Sequence, residues 1–155
     1  MATIYCGGVI VFSECLTNVL IVETKWKENY GFPKGKTNIQ DGWNWVNTAL
    51  RETREETGLI LDHNMLVKTP ITSSVAFVEE TIVDKKDNFE CHCRYGIAII
   101  SSEKAKTASI ESVQNMEEVF SVEWWPIERC ERDLLHRRVV LLKRALSEIK
   151  KEHKV

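Results

Sequence analysis

Two short runs rich in apolar residues, Tyr5 to Phe12 and Asn18 to Glu23, are separated by the turn-prone stretch Ser13 to Thr17. Short apolar runs bounded in this way predict two strands with a turn between them. A loop-like stretch, Trp26 to Gln40, follows and carries Gly31, Pro33 and Gly35. The pattern then changes to helical spacing over Trp43 to Thr57, with Val46, Ala49 and Leu50 apolar and Gly58 as a stop signal. Ile71 to Val83 and Phe89 to Ile100 read as strands on either side of the polar turn Asp84 to Asn88, and Val119 to Trp125 as a further short strand. From Ile127 onward a long helix is expected. Leu135, Val139, Leu142, Leu146 and Ile149 recur along it as one apolar stripe. Strands alternating with helices predict an α/β or α+β layer fold, and no linker or repeat divides the chain, so residues 1–155 read as one domain.

Composition narrows the function class. The 21 Lys+Arg and 23 Asp+Glu give a formal net charge of -2, which argues against a strongly basic DNA-binding protein. The longest apolar runs are far short of the ~20 residues that span a bilayer, and Met1 to Cys6 lacks the features of a secretory signal. Five cysteines without a C-x-x-C argue for a reducing setting, cytoplasmic or nuclear. Cys91-His92-Cys93 reads as two thiols on one sheet face with His92 on the other, rather than as a zinc site. The basic residues between Arg129 and Lys154 read as the outer face of a packed helix before they read as an RNA-docking surface.

The segment with chemical content is Arg51-Glu52-Thr53-Arg54-Glu55-Glu56-Thr57-Gly58-Leu59. On a helix, Glu52, Glu55 and Glu56 share one face, with neighbouring Cβ atoms about 5–6 Å apart. Three carboxylates so close repel one another and call for a cation. Hard divalent ions take such oxygen ligands together with substrate phosphates. Arg51 can orient a carboxylate through its planar fork. Gly35 and Lys36, just upstream, would let backbone and an ammonium approach a phosphate. The set points to metal-assisted attack of water on a phosphoryl group.

This stretch resembles the Nudix box, Gly-x5-Glu-x7-Arg-Glu-apolar-x-Glu-Glu-x-Gly-apolar. Here it runs Gly35-x5-Asp41-x9-Arg51-Glu52-Thr53-x-Glu55-Glu56-x-Gly58-Leu59. Asp41 stands in place of Glu, two extra residues precede Arg51, and Thr53 replaces an apolar residue. An alternative alignment leaves Trp43 at the first acidic position, and no catalytic part is assigned to Asp41. The resemblance implies an α/β/α sandwich, with a curved mixed sheet between helices. It also implies hydrolysis of a nucleoside diphosphate linked to a further group, by metal-activated water at phosphorus. Mg²⁺ is the implied cofactor, with Mn²⁺ as the alternative ion.

Residue by residue, the resemblance makes Glu52 and Glu56 the principal metal ligands. Glu55 becomes a ligand that also serves as base in some members, and the carbonyl of Lys34 a further ligand. Arg51 would brace the glutamates and Lys36 would contact phosphate. Glu118, six residues before Trp124, matches a downstream glutamate that binds metal or activates water, with Glu117 as the alternative. Tyr30, Phe32, Trp26 and Phe77 are candidates for stacking on a base, and Lys34, Lys36, Lys25 and Lys27 for meeting phosphates.

Substrate cues conflict. Tyr30 to Lys36 resembles the lead-in of mRNA-decapping members, the Arg51 to Glu56 run resembles diadenosine tetraphosphate hydrolases, and Glu123 to Glu128 resembles diphosphoinositol polyphosphate hydrolases. The favoured partner is a nucleotide, a dinucleoside polyphosphate first, with capped RNA and diphosphoinositol as alternatives. A catalytically inactive nucleotide-binding module is the competing function class.

Overall fold

The computed structural model describes residues 1–25, 30–114 and 117–153. Trp26 and Lys27, named above as candidates, lie outside the described residues. Seven strands form one mixed sheet: β1 (Ala2–Ser13), β2 (Asn18–Thr24), β3 (Tyr30–Gly31), β4 (Lys34–Lys36), β5 (Val78–Asp84), β6 (Phe89–Ile100) and β7 (Val119–Pro126). The helices are α1 (Trp45–Thr57), α2 (Ser102–Ala105), α3 (Ile127–Asp133) and α4 (His136–His153).

The sheet is organised around β1. On one edge it pairs in parallel with β6 over its whole length, from Ala2↔Phe89 to Ser13↔Ile100. Its other edge is divided. β2 pairs with its C-terminal end at Phe12↔Val19, and β4 with its N-terminal part from Cys6↔Lys36 to Gly8↔Lys34. The sheet therefore splits between β2 and β4, and β4 brings Gly35 to the mouth of the split. β7 extends the β2 side in antiparallel register, with Leu20 opposite Trp124.

Alternation along the central strands builds two cores, as the period of two requires. Ile10, Phe12, Ile21, Tyr95 and Ile97 face α4, while Val9, Val11, Leu20 and Ala98 face α1. The architecture is thus the sandwich expected, a curved mixed sheet with α1 on one side and α4 on the other. Cys91 and Cys93 are buried in the α4-side core, and His92 points to the opposite face.

Two expected elements differ. The strand expected from Ile71 begins only at Val78. The preceding residues form a small irregular hairpin, closed by Thr69 N–H to Ser74 O and turning through Ser73 at φ 57°. The single C-terminal helix is broken into α3 and α4, because Leu134 is extended (ψ 154°) and turns its side chain into the core. Val139, Leu142 and Ile149 still form the buried stripe, whereas Leu135 sits at the corner, 40% exposed.

The basic C-terminal segment is not simply an outer face either. Arg137 pairs with buried Glu80, and Arg138 donates to the Tyr30 carbonyl. Among the described residues no helix is long and apolar enough to cross a membrane.

Candidate active site

α1 starts where Asn44 caps it, its Oδ1 accepting from Val46 N–H at 2.8 Å. It ends at Gly58, whose φ of 80° is the left-handed geometry that stops a helix. Val46, Ala49 and Thr53 bury one face against the sheet. The Thr53 hydroxyl is satisfied by the Ala49 carbonyl at 2.7 Å, so a polar side chain fills an apolar position without an unpaired donor. Packing of this face turns Arg51, Glu52, Glu55 and Glu56 toward β4.

Glu56 is the most deeply set of the glutamates, 7% exposed, and accepts the Lys34 backbone N–H at 2.9 Å. Burial pushes its carboxyl up to about 8; the Lys34 amide opposes the rise, and the charges of Glu52 and Glu118 add to it. Glu52 lies directly over Gly35, where a Cβ would overlap the carboxylate and push it from its present place. Burial also raises Glu52, to about 7, with Glu55 and Glu118 adding to the rise and Arg51 working against it. Glu118, just ahead of β7, thus adds to the rise at both Glu52 and Glu56.

Arg51 ties these groups together. Its Nη1 donates to Glu52 (2.9 Å) and to Glu55 (3.0 Å), and its Nη2 donates to the Lys36 carbonyl (3.0 Å). Its Nε and Nη2 hold both oxygens of Asp41, at 2.8 and 2.9 Å. Asp41 is 4% exposed and also accepts from the Thr48 hydroxyl at 2.8 Å. The Arg51 guanidinium holds the Asp41 carboxyl below its ordinary value.

Asp41 is the functional residue that sequence reasoning left unassigned. The signal was the intact spacing Gly35-x5-Asp41. The two extra box residues lie after it, in the loop between the 3-10 turn Ile39–Asp41 and α1. There Gly42 (φ 65°) and Trp43 (φ 55°) are both left-handed. The insertion bulges the loop and leaves Arg51 in reach of Asp41. Trp43 ends up 68% exposed, not in the acidic cluster.

The other predicted site residues divide between the two faces of the sheet. Lys36 is exposed on β4, at the rim of the cluster. The Lys34 backbone serves Glu56, but its ammonium turns to the α4 side, 3.8 Å from Glu80. Phe32 is 4% exposed and packs edge-on against Tyr95, and Tyr30 packs against Trp125. Phe77 lies on the α1 side against Trp45, 38% exposed. The structure therefore gathers Arg51, Glu52, Glu55, Glu56, Glu118 and the Lys34 and Lys36 backbones, and does not bring Tyr30, Phe32 and Phe77 to one place.

The donor set fits a hard divalent cation. The carboxylates of Glu52, half-buried, and Glu56, buried, are both pushed toward protonation by burial, and they meet a loop whose glycine admits close approach. Among the described residues no three acidic, His or Cys groups stand as a closed cage, since Arg51 engages Glu52 and Glu55.

A family model for the NUDIX domain matches residues 7–147. The chain belongs to the NUDIX family. Its membership makes it an enzyme of the pyrophosphohydrolase type. Similar solved structures include a C. elegans Ap4A hydrolase binary complex, with TM-score 0.64 and 17% identity, covering 95% of this chain and 97% of that one. A MutT NUDIX hydrolase from Burkholderia pseudomallei aligns at TM-score 0.63 and 17% identity, covering 92% and 98%. The NUDIX domain of Shewanella oneidensis NrtR, complexed with ADP ribose, aligns at TM-score 0.68 and 18% identity, covering 96% and 90%. At these identities the likeness is one of fold. No curated protein matches the chain significantly in sequence.

Proposed function

We propose that this Nudix chain hydrolyses a diphosphate linkage in a nucleotide, with a dinucleoside polyphosphate as the first candidate substrate. The observation that carries the reading is the placing of Glu52 over Gly35 and of Glu56 on the Lys34 amide, with Arg51 fixed between Asp41 and the glutamates. A nucleotide substrate is supported by the fold neighbours, an Ap4A hydrolase and a domain complexed with ADP ribose. Glu52, Glu56 and the Lys34 carbonyl would hold Mg²⁺, or Mn²⁺ in its place, which supplies charge neutralisation at the phosphate oxygens. Lys36 meets a non-bridging phosphate oxygen as a point charge. Glu118 or Glu55 accepts a proton from the attacking water as its oxygen bonds to phosphorus, and the bridging oxygen leaves with the other phosphate. Arg51 keeps Glu52 and Glu55 oriented throughout.

The test is product analysis by mass spectrometry, with and without Mg²⁺. The panel contains diadenosine polyphosphates, capped RNA, nucleoside diphosphate sugars and diphosphoinositol polyphosphates, with Glu56→Gln as control. Mg²⁺-dependent cleavage of the diadenosine compounds, absent in the control, is expected. Cleavage of another class alone would replace the substrate. Binding without any cleavage by the folded protein would leave a nucleotide-binding module.

A further inference from the structure

Beside the acidic cluster, on the α1 side of the sheet, lies a groove of about 290 Å³ that the reading above does not use. Its origin follows from where α1 begins. The helix starts directly over Gly7, where a Cβ would overlap the Trp45 carbonyl. Tyr5, two residues earlier on the same face of β1, therefore lies beyond the helix end and stays uncovered. It is 63% exposed, and its ring stacks on that of His92, its partner on β6, at 5.7 Å and 24°. Along the same face, Arg94 and Glu79 form the rest of the floor and pair at 3.3 Å. Trp45 and Trp43 form the wall. Trp43 is carried there by the two-residue box insertion, with a left-handed backbone that is unfavourable for a bulky residue and with 68% of its surface open to solvent.

We propose that this groove binds the base of a nucleotide. Exposed aromatic rings that flank a slot make a stacking platform for any base, since every base presents a π-face. The exposed Glu79–Arg94 pair offers an acceptor and a donor to the base edge, which a purely apolar ligand would leave unused. The groove's size, near the low end for small-ligand pockets, suits one nucleoside. The groove adjoins the acidic cluster through the backbone that follows β4. Thr37 also lines the groove and follows Lys36, and its N–H donates to the Tyr5 carbonyl at 2.9 Å. The Lys36 carbonyl in turn accepts from Arg51 at 3.0 Å, so the groove mouth and the acidic cluster meet along one stretch of backbone, while the Lys36 side chain leaves on the Cys6 face of the sheet. The insertion that lengthens the box is the element that builds the wall. The catalytic consequence rests on the hydrolase reading; the binding itself does not.

The test uses the full chain and two probes, adenosine monophosphate and ribose 5-phosphate, the second lacking a base. Indole N–H resonances of Trp43 and Trp45, assigned through Trp43→Phe and Trp45→Phe, are followed by NMR in EDTA. AMP is expected to shift both and ribose 5-phosphate neither. Trp43→Ala is expected to weaken AMP binding about 5- to 150-fold, with Trp43→Phe recovering part of it. In parallel, the KM for a diadenosine substrate should rise by a comparable factor in Trp43→Ala. Shifts confined to Trp125, on the other side of the sheet, would overturn the assignment, as would equal responses to the two probes. Groove binding without hydrolysis by wild type would refute the hydrolase reading alone. Hydrolysis with unchanged AMP affinity in Trp43→Ala would refute the groove alone.

Discussion

Glu56→Gln should make the metal-free protein more stable at neutral and alkaline pH while it removes turnover. Glu56 is 7% exposed, and its carboxyl is pushed from an ordinary 4.5 up to about 8. The fold therefore favours the protonated form. Its contribution is fully present below pH 4.5 and is lost as pH rises through about 8. At 1.36 kcal/mol per tenfold change in proton affinity, the loss is on the order of 4–5 kcal/mol. Glutamine is neutral at every pH and keeps an oxygen for the Lys34 N–H, so it escapes that loss. In EDTA, wild type and variant should differ little at pH 4.5 and diverge steadily to pH 8. There the variant should melt about 10 °C higher, at roughly 2–4 °C per kcal/mol for a chain of this size. The assay is urea or thermal unfolding in EDTA across that pH range. Adding Mg²⁺ should then raise wild type far more than the variant, because the cation stabilises only a fold that presents the carboxylate. A variant no more stable than wild type at pH 8 in EDTA would refute the strained-carboxylate account. So would a stability difference that does not change with pH.

Two further outcomes follow. Asp41→Ala should destabilise the protein by about 1.5–3 kcal/mol in urea unfolding and lower turnover by at least tenfold, because Arg51 loses its bidentate partner and keeps only Glu52 and Glu55. The Asp41 contribution is present above pH 3.8 and is lost as acid titrates the carboxylate below that value; a loss under 1 kcal/mol would remove Asp41 from the bracing network. For the cysteines, Cys15 is exposed while Cys6, Cys91, Cys93 and Cys130 are buried, and burial raises the Cys130 thiol to about 11. One thiol should react rapidly with Ellman's reagent in the native protein and the remaining four only in denaturant; fast reaction of two or more would contradict the packing.

The parts of the site that were legible in the sequence are those fixed by local geometry. Helical spacing alone puts Glu52, Glu55 and Glu56 on one face, and Gly58 marks the end of that helix. Tertiary geometry decided the rest. The stripe from Leu135 to Ile149 has the same period whether or not the chain bends, so the bend at Leu134 left no trace in the pattern. Residues 71–77 are apolar enough for a strand, yet Ile71 is 95% exposed in a turn that no sheet neighbour reaches. The stacking candidates were chosen as aromatics near the box, but Phe32, between β3 and β4, packs into the α4-side core while Phe77, ahead of β5, packs on Trp45 on the α1 side. Glu80, buried against Lys34, Arg137 and Tyr95, carried no local signal at all, since its partners come from three distant segments.

Asp41 shows why a box with two extra residues can keep its architecture. A sequence motif counts residues along the chain, whereas the site requires only that Arg51 reach a carboxylate and that the glutamates reach the glycine loop. The first requirement is met by two hydrogen bonds from the Arg51 fork to Asp41. The second is met by the fixed offset from Arg51 to Glu56 and by the β4 register on β1. The insertion falls between these two constraints, where Gly42 and Trp43 turn left-handed and Asn44 restarts the helix. Lengthening that loop shifts neither Gly35 nor α1. What it changes is the surface beside the site, because the added length leaves Trp43 standing at the edge of the Tyr5–His92 floor. The chemistry of the box and the shape of its rim are thus set by different residues, and an insertion can alter which nucleotide is held without altering how its phosphates are met.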